Sequence, residues 1–318
     1  MNNTTESSRN VLSEQHFCSL NSKQRYLKIT ALAIVTLTTY FGNSLILYTL
    51  QKYSSNFKGT LYMIISNLAV ADLLLAFGLT FQLAEYVFPN LESDKYFCVI
   101  KTCCIAVSIT CSSDMLSYMS IDRFCAIMFP MRHFLNAHKK KSKRCILAVT
   151  WLVSLLIGVI PIIVSAVNIS DDSPRGFSCK YGYMIPYKAS MFAAIFLPIE
   201  FGFNVCLCLI VMWRVLTNNA ARNNYRKSMI KCLLTLQIYI LFAVCWSPYV
   251  VTTVLMEMNK EGINDYFCFR EFAVLVGFMN SGMNWILYSL ANRKFRKSFK
   301  NVLSCTSVKN NDNTMFRL

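Results

Sequence analysis

The sequence predicts an all-α membrane protein, a seven-transmembrane helix bundle with a short amphipathic eighth helix. Composition gives the first two observations behind this prediction. Hydrophobic residues make up 55% of the 318 residues, and charged residues make up 15%, against about 25% in an average soluble domain. The mean hydropathy is +0.40. A soluble protein of this composition would expose large apolar patches, whereas a bilayer solvates such surface directly.

The third observation is the length of the apolar stretches. A helix rises about 1.5 Å per residue and the hydrocarbon core is about 30 Å thick, so a span needs about 20 mostly apolar residues. Helices are expected because backbone N–H and C=O groups in lipid must pair within the segment, and the strands of a β-barrel would be short and alternating. Seven stretches satisfy the length requirement, at about residues 27–50, 60–87, 95–128, 144–167, 187–216, 228–257 and 268–290.

Basic residues predict the orientation of the spans. The net charge is +16, and the bases are concentrated in every second connection, for example Lys139, Lys140 and Lys141 after the third span. Cytosolic connections of membrane proteins carry an excess of Lys and Arg, which meet anionic lipids there. We therefore expect membrane lipids rather than nucleic acid beside these bases. The expected regions at the plasma membrane are an extracellular N-terminus (1–26), a bundle with its eighth helix (27–303) and a cytoplasmic tail (304–318).

Candidate modification sites agree with this orientation. Asn2, Asn3 and Asn168 begin Asn-x-Ser/Thr triplets on the outer side, which predicts glycosylation. Cys98 and Cys179 lie in the same oxidising compartment, where they are expected to form a disulfide, the alternative being two unpaired thiols. Further candidates are a second disulfide between Cys18 and Cys268, palmitoylation of Cys305, and a PDZ-binding carboxyl terminus at Leu318.

Polar residues and prolines recur on the spans in a specific order. They are Gly42-Asn43, Asn67 and Asp72, Asp122-Arg123, Trp151, Pro198, Phe242, Trp246 and Pro248, and Asn280, Asn284 and Tyr288. Over nearly the whole chain this ordered set resembles the rhodopsin-like (class A) G-protein-coupled receptor family. Segment 179–191 is faintly similar to adenosine-type receptors, although Thr253 and Phe278 stand where those receptors use polar groups that bind a nucleoside.

Three positions depart from the family pattern. Trp285 replaces the proline of Asn-Pro-x-x-Tyr, Phe124 replaces the tyrosine of Asp-Arg-Tyr, and Cys206 occupies the place of a tyrosine in the fifth span. The first and third positions belong to the activation machinery of the family. These two departures leave a second interpretation, an atypical receptor that couples weakly to G proteins or is constitutively active.

Asp72 is expected to be a buried acid in the second span. An isolated carboxylate in the bilayer core costs several kcal/mol, so it should face the bundle and have polar partners. The resemblance implies an allosteric sodium site that favours the inactive state, and no other cofactor. The alternative is a water-filled hydrogen-bond network without an ion. The implied sodium ligands are Asp72, Ser112, Asn280, Ser281 and Asn284.

The resemblance also implies an activation switch in the cytosolic half of the bundle. Asp122 would hold Arg123 in the inactive state, and Arg123 would contact the G protein once released. The alternative is a surface ion pair, which would contribute little. Pro248 lacks a backbone donor and bends the sixth helix, so a change near Trp246 would move the cytosolic end outward. The remaining members of the implied switch are Phe242 and Tyr288.

The outer halves of the spans are expected to form the ligand pocket. Ile105 stands where amine receptors carry an aspartate, which argues against a monoamine. Lys101 can bind the carboxylate or phosphate of a lipid-like ligand, or extend to the membrane interface and bind nothing. A basic peptide is the alternative ligand, because the rim carries acidic residues such as Glu85, Glu257 and Glu271. The expected pocket residues are Gln82, Glu85, Lys101, Ile105, Tyr181, Tyr249, Thr253 and Phe278.

A ligand-activated receptor is the function these features predict. An extracellular ligand, with a lipid-like or other small molecule favoured over a peptide, would shift a two-state bundle and activate a heterotrimeric G protein, and arrestin would be a further partner. A transporter would need a continuous polar path, whereas we expect the charges on the spans to lie at their ends, except for Asp72. An enzyme is not expected, because paired catalytic carboxylates and a Ser–His pairing are missing from the sequence.

Overall fold

The computed structural model describes residues 21–131, 140–168, 187–217, 222–258 and 263–304. Within them a short 3-10 helix, Pro89–Ser93, follows the second helix, and no residue is in a strand. The predicted all-α class is thereby confirmed. The α-helices are α1 (Ser22–Lys52), α2 (Thr60–Val87), α3 (Lys95–Met128), α4 (Lys140–Asn168), α5 (Tyr187–Thr217), α6 (Arg222–Met258), α7 (Ile263–Ala291) and α8 (Arg293–Leu303).

Helices α1 to α6 are each long and apolar enough to cross a membrane, judged over the described residues. Helix α7 has 29 residues and occupies the place of the seventh predicted span. Its polar residues Asn280, Ser281 and Asn284 are buried inside the bundle rather than presented to lipid. We call the end of the bundle that carries Arg123 and α8 the inner end, and the opposite end the outer end.

Side-chain caps define several helix ends. Asn21 and Gln24 form a reciprocal capping box at the start of α1, with N···O distances of 2.8 and 3.0 Å. Asp94 accepts from the backbone N–H of Phe97 at 3.0 Å and so begins α3. Asn292 has an extended backbone, which separates α7 from α8, and its side chain caps α8 through the N–H of Lys294 at 3.0 Å.

Helix α3 lies at the centre of the bundle, where it packs against α2, α4, α5 and α6. Helix α7 closes the bundle between α6 and α1. Helices α4 and α5 both pack on α3 but scarcely touch each other. Their outward faces carry large apolar side chains, such as Leu152, Ile199 and Trp213, all of which are more than half exposed. A bilayer would cover these faces, as the composition predicts.

Helix α8 is amphipathic, as predicted. Phe295 and Phe299 are buried against the bundle, whereas Arg296 and Lys297 on the other face are exposed. The Phe295 ring lies 4.6 Å from the ring of Phe57 and 5.4 Å from that of Tyr288, measured between centroids. These ring contacts dock α8 on the loop between α1 and α2 and on the end of α7.

Candidate functional site

Asp72 is fully buried in the middle of the bundle, where the sequence places it. Asn284 of α7 donates to Oδ2 of Asp72 at 2.8 Å, and Ser112 of α3 donates to Oδ1 at 3.4 Å. The carboxylate therefore joins α2, α3 and α7. No basic side chain of the described residues forms an ion pair with it.

Unpartnered oxygens accompany this carboxylate. The Oδ1 atoms of Asn43, Asn280 and Asn284 are buried and accept no hydrogen bond within the described structure. Asn43 donates instead, to the backbone carbonyl of Ser281 at 3.1 Å, and Ser281 is itself buried. Buried acceptors without donors cost free energy unless a cation or water lies beside them. A carboxylate and neutral oxygens are the ligands that hard cations prefer, so the predicted residues fit a small cation.

Trp285, which departs from the family pattern, is accommodated by a glycine on α1. A Cβ atom added to Gly42 would lie 2.0 Å from Cδ1 of Trp285, so the indole occupies the space that a side chain would fill. The Trp285 ring also packs edge-on against Phe41, with centroids 5.6 Å apart. Helix α7 continues through this position without interruption. The close approach of α1 and α7 thus depends on Gly42 and Trp285 together.

The predicted switch residues of α6 form one aromatic group. Centroids of Phe242 and Trp246 lie 6.2 Å apart, and Trp246 meets Tyr249 of α6 and Phe278 of α7 edge-on at 5.8 and 6.4 Å. Any displacement of the Trp246 ring therefore requires both helices to repack.

Pro248 removes one backbone hydrogen bond from α6. Because proline has no N–H, the carbonyl of Val244 loses its helical donor, and the hydroxyl of Ser247 donates to that carbonyl at 3.0 Å instead. A side-chain hydroxyl can rotate away, unlike a backbone N–H. The helix consequently has a point where bending is less costly.

Asp122 and Arg123 form a buried ion pair at the inner end of α3. The alternative of a surface pair is therefore wrong. Nε of Arg123 is buried without a hydrogen-bond acceptor among the described residues. The hydroxyl of Tyr288 is likewise buried without a partner there, and its ring stacks on Phe295. These groups can take up new partners only after the inner end rearranges.

A polar cluster that we did not expect lies between α3, α5 and α6. Glu200 of α5 accepts from Ser113 at 2.5 Å and from Ser117, both on α3. The Ser117 hydroxyl is also 3.0 Å from the hydroxyl of Tyr239 on α6. Asn204 of α5 donates to the same Ser117 hydroxyl at 2.9 Å. A single acidic side chain thus organises contacts among three helices.

Asp114 is a further acid inside the spans, and it accepts from Ser154 of α4 at 2.8 Å. The expectation that charges lie at the ends of the spans, with Asp72 as the exception, is wrong, because Asp114 and Glu200 lie near the middle of α3 and α5. The available signal was an acid near the middle of each apolar stretch. Serine hydroxyls on neighbouring helices donate to both carboxylates, in the place that a base would otherwise take.

The outer end carries two buried ion pairs. Nζ of Lys101 lies 2.6 Å from Oε1 of Glu85, which joins α3 to α2, and Nζ of Lys28 lies 2.6 Å from Oε2 of Glu271, which joins α1 to α7. Lys101 therefore neither extends to the membrane interface nor presents an uncompensated charge to a ligand. Nearby on α2, Oε1 of Gln82 is buried without a donor in the described part of the chain.

Four other predicted pocket residues are buried. Ile105, Tyr249, Thr253 and Phe278 are all less than 8% exposed. The Thr253 hydroxyl donates to the carbonyl of Tyr249 on its own helix at 2.8 Å, so its proton is already used. These residues form the inner boundary of the expected pocket, and Tyr181 lies outside the described residues.

Cys98 is disulfide-bonded, as predicted. Its predicted partner, Cys179, lies outside the described residues, so the pairing remains a prediction. Asn168 is exposed at the end of α4, where a glycan can be attached. The remaining modification sites lie outside the described side chains, namely Asn2, Asn3, Cys18, Cys268, Cys305 and Leu318.

Comparison with known families decides the classification. The sequence model described as "7 transmembrane receptor (rhodopsin family)" matches residues 42–288. The chain belongs to this family. The match runs from Gly42 to Tyr288 and includes Asp72, Arg123 and Pro248, so the resemblance seen in the motifs is confirmed.

Individual relatives are distant but are aligned over most of their length. The receptor is 25% identical to somatostatin receptor type 1 of Rattus norvegicus over 88% of this chain and 72% of that protein. It is 26% identical to the allatostatin-A receptor of Bombyx mori, over 83% and 76%. It is 27% identical to somatostatin receptor type 2 of Sus scrofa, over 92% and 83%.

Proposed function

We propose that this chain is a peptide receptor of the plasma membrane that activates heterotrimeric G proteins. The observation that carries the proposal is the similarity to somatostatin and allatostatin-A receptors over most of both chains. These relatives favour a peptide over the lipid-like ligand that the sequence first suggested. Orientation follows the distribution of bases, with the N-terminus outside.

The charges at the outer end support a peptide ligand. Glu85, Lys101, Lys28 and Glu271 place two acids and two bases at the outer ends of four helices, and each charge is already compensated. A ligand with an acidic headgroup alone would have to displace a carboxylate to reach Lys101. A peptide can offer both signs of charge, together with amide N–H groups for the unpartnered Gln82 oxygen.

The proposed mechanism is a population shift between two states of the bundle. A peptide that binds the outer end repacks the Trp246 aromatic group, and α6 bends where Ser247 replaces the missing backbone donor. Outward movement of the inner end of α6 then opens a site for the G protein beside Arg123. Release from Asp122 allows the Arg123 guanidinium to donate to the G protein.

A cation beside Asp72 would oppose this shift. The residues that would hold it are Asp72 and Ser112 with the unpartnered oxygens of Asn280 and Asn284. Such an ion joins α2, α3 and α7 in one arrangement, and any state that separates these helices loses its ligands. We propose sodium, because its charge and preference for oxygen match this set.

A ligand screen tests the proposal. Cells that express the receptor would be exposed to a library of neuropeptides and, separately, to a library of lipid mediators, with nucleotide exchange on each class of G protein as the readout. At least one peptide should give saturable exchange, and Arg123→Ala should abolish exchange while ligand binding persists. Saturable exchange with a lipid acid and with no peptide would contradict the proposal.

A weakly coupling or constitutively active receptor is a second candidate. Cys206, at the place of the family's tyrosine, is exposed on the outward face of α5 and cannot reach the inner end of the bundle. Nucleotide exchange on purified G proteins without agonist distinguishes a constitutively active receptor from an ordinary peptide receptor, because the ordinary receptor should catalyse little exchange. Interactions with arrestin, and with a PDZ protein through Leu318, are further proposals.

A further inference from the structure

A groove of about 460 Å³ opens between the inner ends of α1 and α2. Leu47 and Leu50 of α1 line one side, and Tyr62 and Met63 of α2 line the other. Several of these side chains, including Leu50, Tyr62 and Met63, are only half-buried, because part of each faces the groove. The volume lies within the range of roughly 300–1,000 Å³ that is usual for sites of small molecules.

The inner limit of the groove is built from packed aromatic rings. Phe57, in the loop between α1 and α2, lines the groove and is 8% exposed. Its ring lies 4.6 Å from that of Phe295 on α8 and 5.1 Å from that of Tyr62. The groove therefore has a defined end next to α8.

Three bases lie beside lining residues at this end of the groove. Lys52 follows the lining residue Gln51, and Lys58 follows Phe57; both side chains are exposed. Lys294 of α8 donates to the carbonyl of Asn56 at 3.4 Å, one residue from Phe57. None of the three bases forms an ion pair with an acidic side chain in the described ranges. Nζ of Lys52 lies over the rings of Tyr48 and Tyr53, neither of which carries the negative charge that an anionic headgroup would supply.

We propose that this groove binds an anionic phospholipid of the cytosolic leaflet. One acyl chain would lie between α1 and α2, and the headgroup phosphate would contact Lys52, Lys58 and Lys294. A groove lined mostly by apolar side chains, beside three cations that have no acidic partner in the described ranges, matches a molecule with a long apolar chain and a negative headgroup. Phosphatidylcholine lacks the net charge, and a soluble phosphate lacks the chain.

The consequence of binding would be a closer attachment of α8. The lipid would touch α1, α2 and the Phe57 loop while its headgroup holds Lys294 of α8, so that one molecule joins four elements of the inner end. The same loop supports Phe295, which stacks on Tyr288 of the switch. The proposal depends on the orientation of the receptor in the membrane and not on the identity of its agonist.

Native mass spectrometry of the full-length receptor in neutral detergent tests the proposal. The probes are dioleoyl phosphatidylserine and dioleoyl phosphatidylcholine. We expect preferential binding of the serine lipid, and a loss of about 25-fold in its affinity in the double variant Lys52→Gln/Lys58→Gln, since each base near an anionic surface contributes about fivefold. The matched control is Lys23→Gln/Arg25→Gln, which removes two exposed bases from the other end of α1 and should change nothing.

Two further experiments distinguish the contribution of the headgroup to binding from that of the acyl chain. Glycerophosphoserine carries the headgroup without chains and should not displace the lipid, and Ser66→Phe should weaken lipid binding by filling the groove that Ser66 lines. If Ser66→Phe fails to fold, a series of serine lipids with shorter chains replaces it and should bind progressively more weakly. Equal binding of both lipids, equal losses in the two double variants, or displacement by glycerophosphoserine would each overturn the proposal.

Discussion

Glu200 accepts hydrogen bonds at both carboxylate oxygens from serine hydroxyls of α3, and this fixes the direction of the bonds around it. Ser117 has one proton, which it donates to Glu200, so it must accept from Asn204 and from Tyr239. The Tyr239 hydroxyl is therefore a donor, and it links α6 to α3. Outward movement of α6 would break that bond.

Tyr239→Phe should raise signalling in the absence of agonist. The substitution removes one hydrogen bond of about 1 kcal/mol from the inactive arrangement, which corresponds to about a fivefold shift in population. Agonist-free nucleotide exchange on purified G protein measures the effect. The matched control is Tyr40→Phe, which removes the 3.2 Å contact between Tyr40 and Thr80 on α1 and α2 but leaves α6 untouched. An equal rise in both variants would count against the assigned role of Tyr239.

Asp72→Asn should abolish the response of the receptor to sodium. If a cation binds the carboxylate, the thermal unfolding temperature of the purified receptor should rise with sodium chloride and not with N-methylglucamine chloride, and agonist affinity should fall. The substitution removes the charge and keeps the size of the side chain. Asp114→Asn changes another acid inside the spans and should retain the sodium response; a response in Asp72→Asn would refute the ion assignment.

At the scale of helices, the apolar stretches predicted the bundle well. The expected third span, 95–128, coincides with Lys95–Met128, and the second, 60–87, coincides with Thr60–Val87. Helix α6 begins at Arg222, earlier than the expected residue 228, because its first turns are polar and hydropathy does not detect them. Pairs such as Glu200 with Ser113 join residues far apart in the chain, and no local pattern encodes them.

Gly42→Val should loosen the packing of α1 on α7. Even a Cβ atom would collide with the Trp285 ring, so the helices must separate or the ring must move, at a cost of about 1–3 kcal/mol. The melting temperature of the receptor measures this loss. Combination with Trp285→Ala should recover part of it, since the colliding ring is then absent.

Gly202 provides the matched control for this substitution. A Cβ atom at Gly202 meets no atom within 4 Å, and Gly202 also lies in the interior of a helix. Gly202→Val should therefore leave the melting temperature nearly unchanged. A comparable loss at both positions would show that helix propensity, rather than the contact with Trp285, explains the effect of Gly42→Val.

For the molecule as a whole, the outer ends of α1, α2, α3 and α7 are joined in pairs by opposite charges. The sequence identified Glu85, Lys101 and Glu271 as pocket residues but could not pair them, because the partners lie on different helices. It identified the family correctly, since the ordered motifs extend over the whole bundle. Ligand class depends on shape and charge at the outer end, which no motif describes.

Glu85→Gln should destabilise the folded receptor by leaving the buried Lys101 ammonium without its carboxylate. Breaking a buried pair costs about 3–5 kcal/mol when one partner remains charged, and the residual exposure of this pair reduces that figure. The double variant Glu85→Gln/Lys101→Met removes both charges and should recover most of the melting temperature. A double variant less stable than Glu85→Gln would contradict this account.

The indole of Trp285 in the gap at Gly42 has a kinetic consequence. During signalling, the inner half of α7 can shift only if the bulky ring slides out of its slot or if α1 travels with it. Either event adds a barrier that a smaller residue would not impose. The time this receptor needs to switch on, and to switch off again, should therefore be set partly by the contact at Gly42, which belongs neither to the outer charge pairs nor to the site beside Arg123.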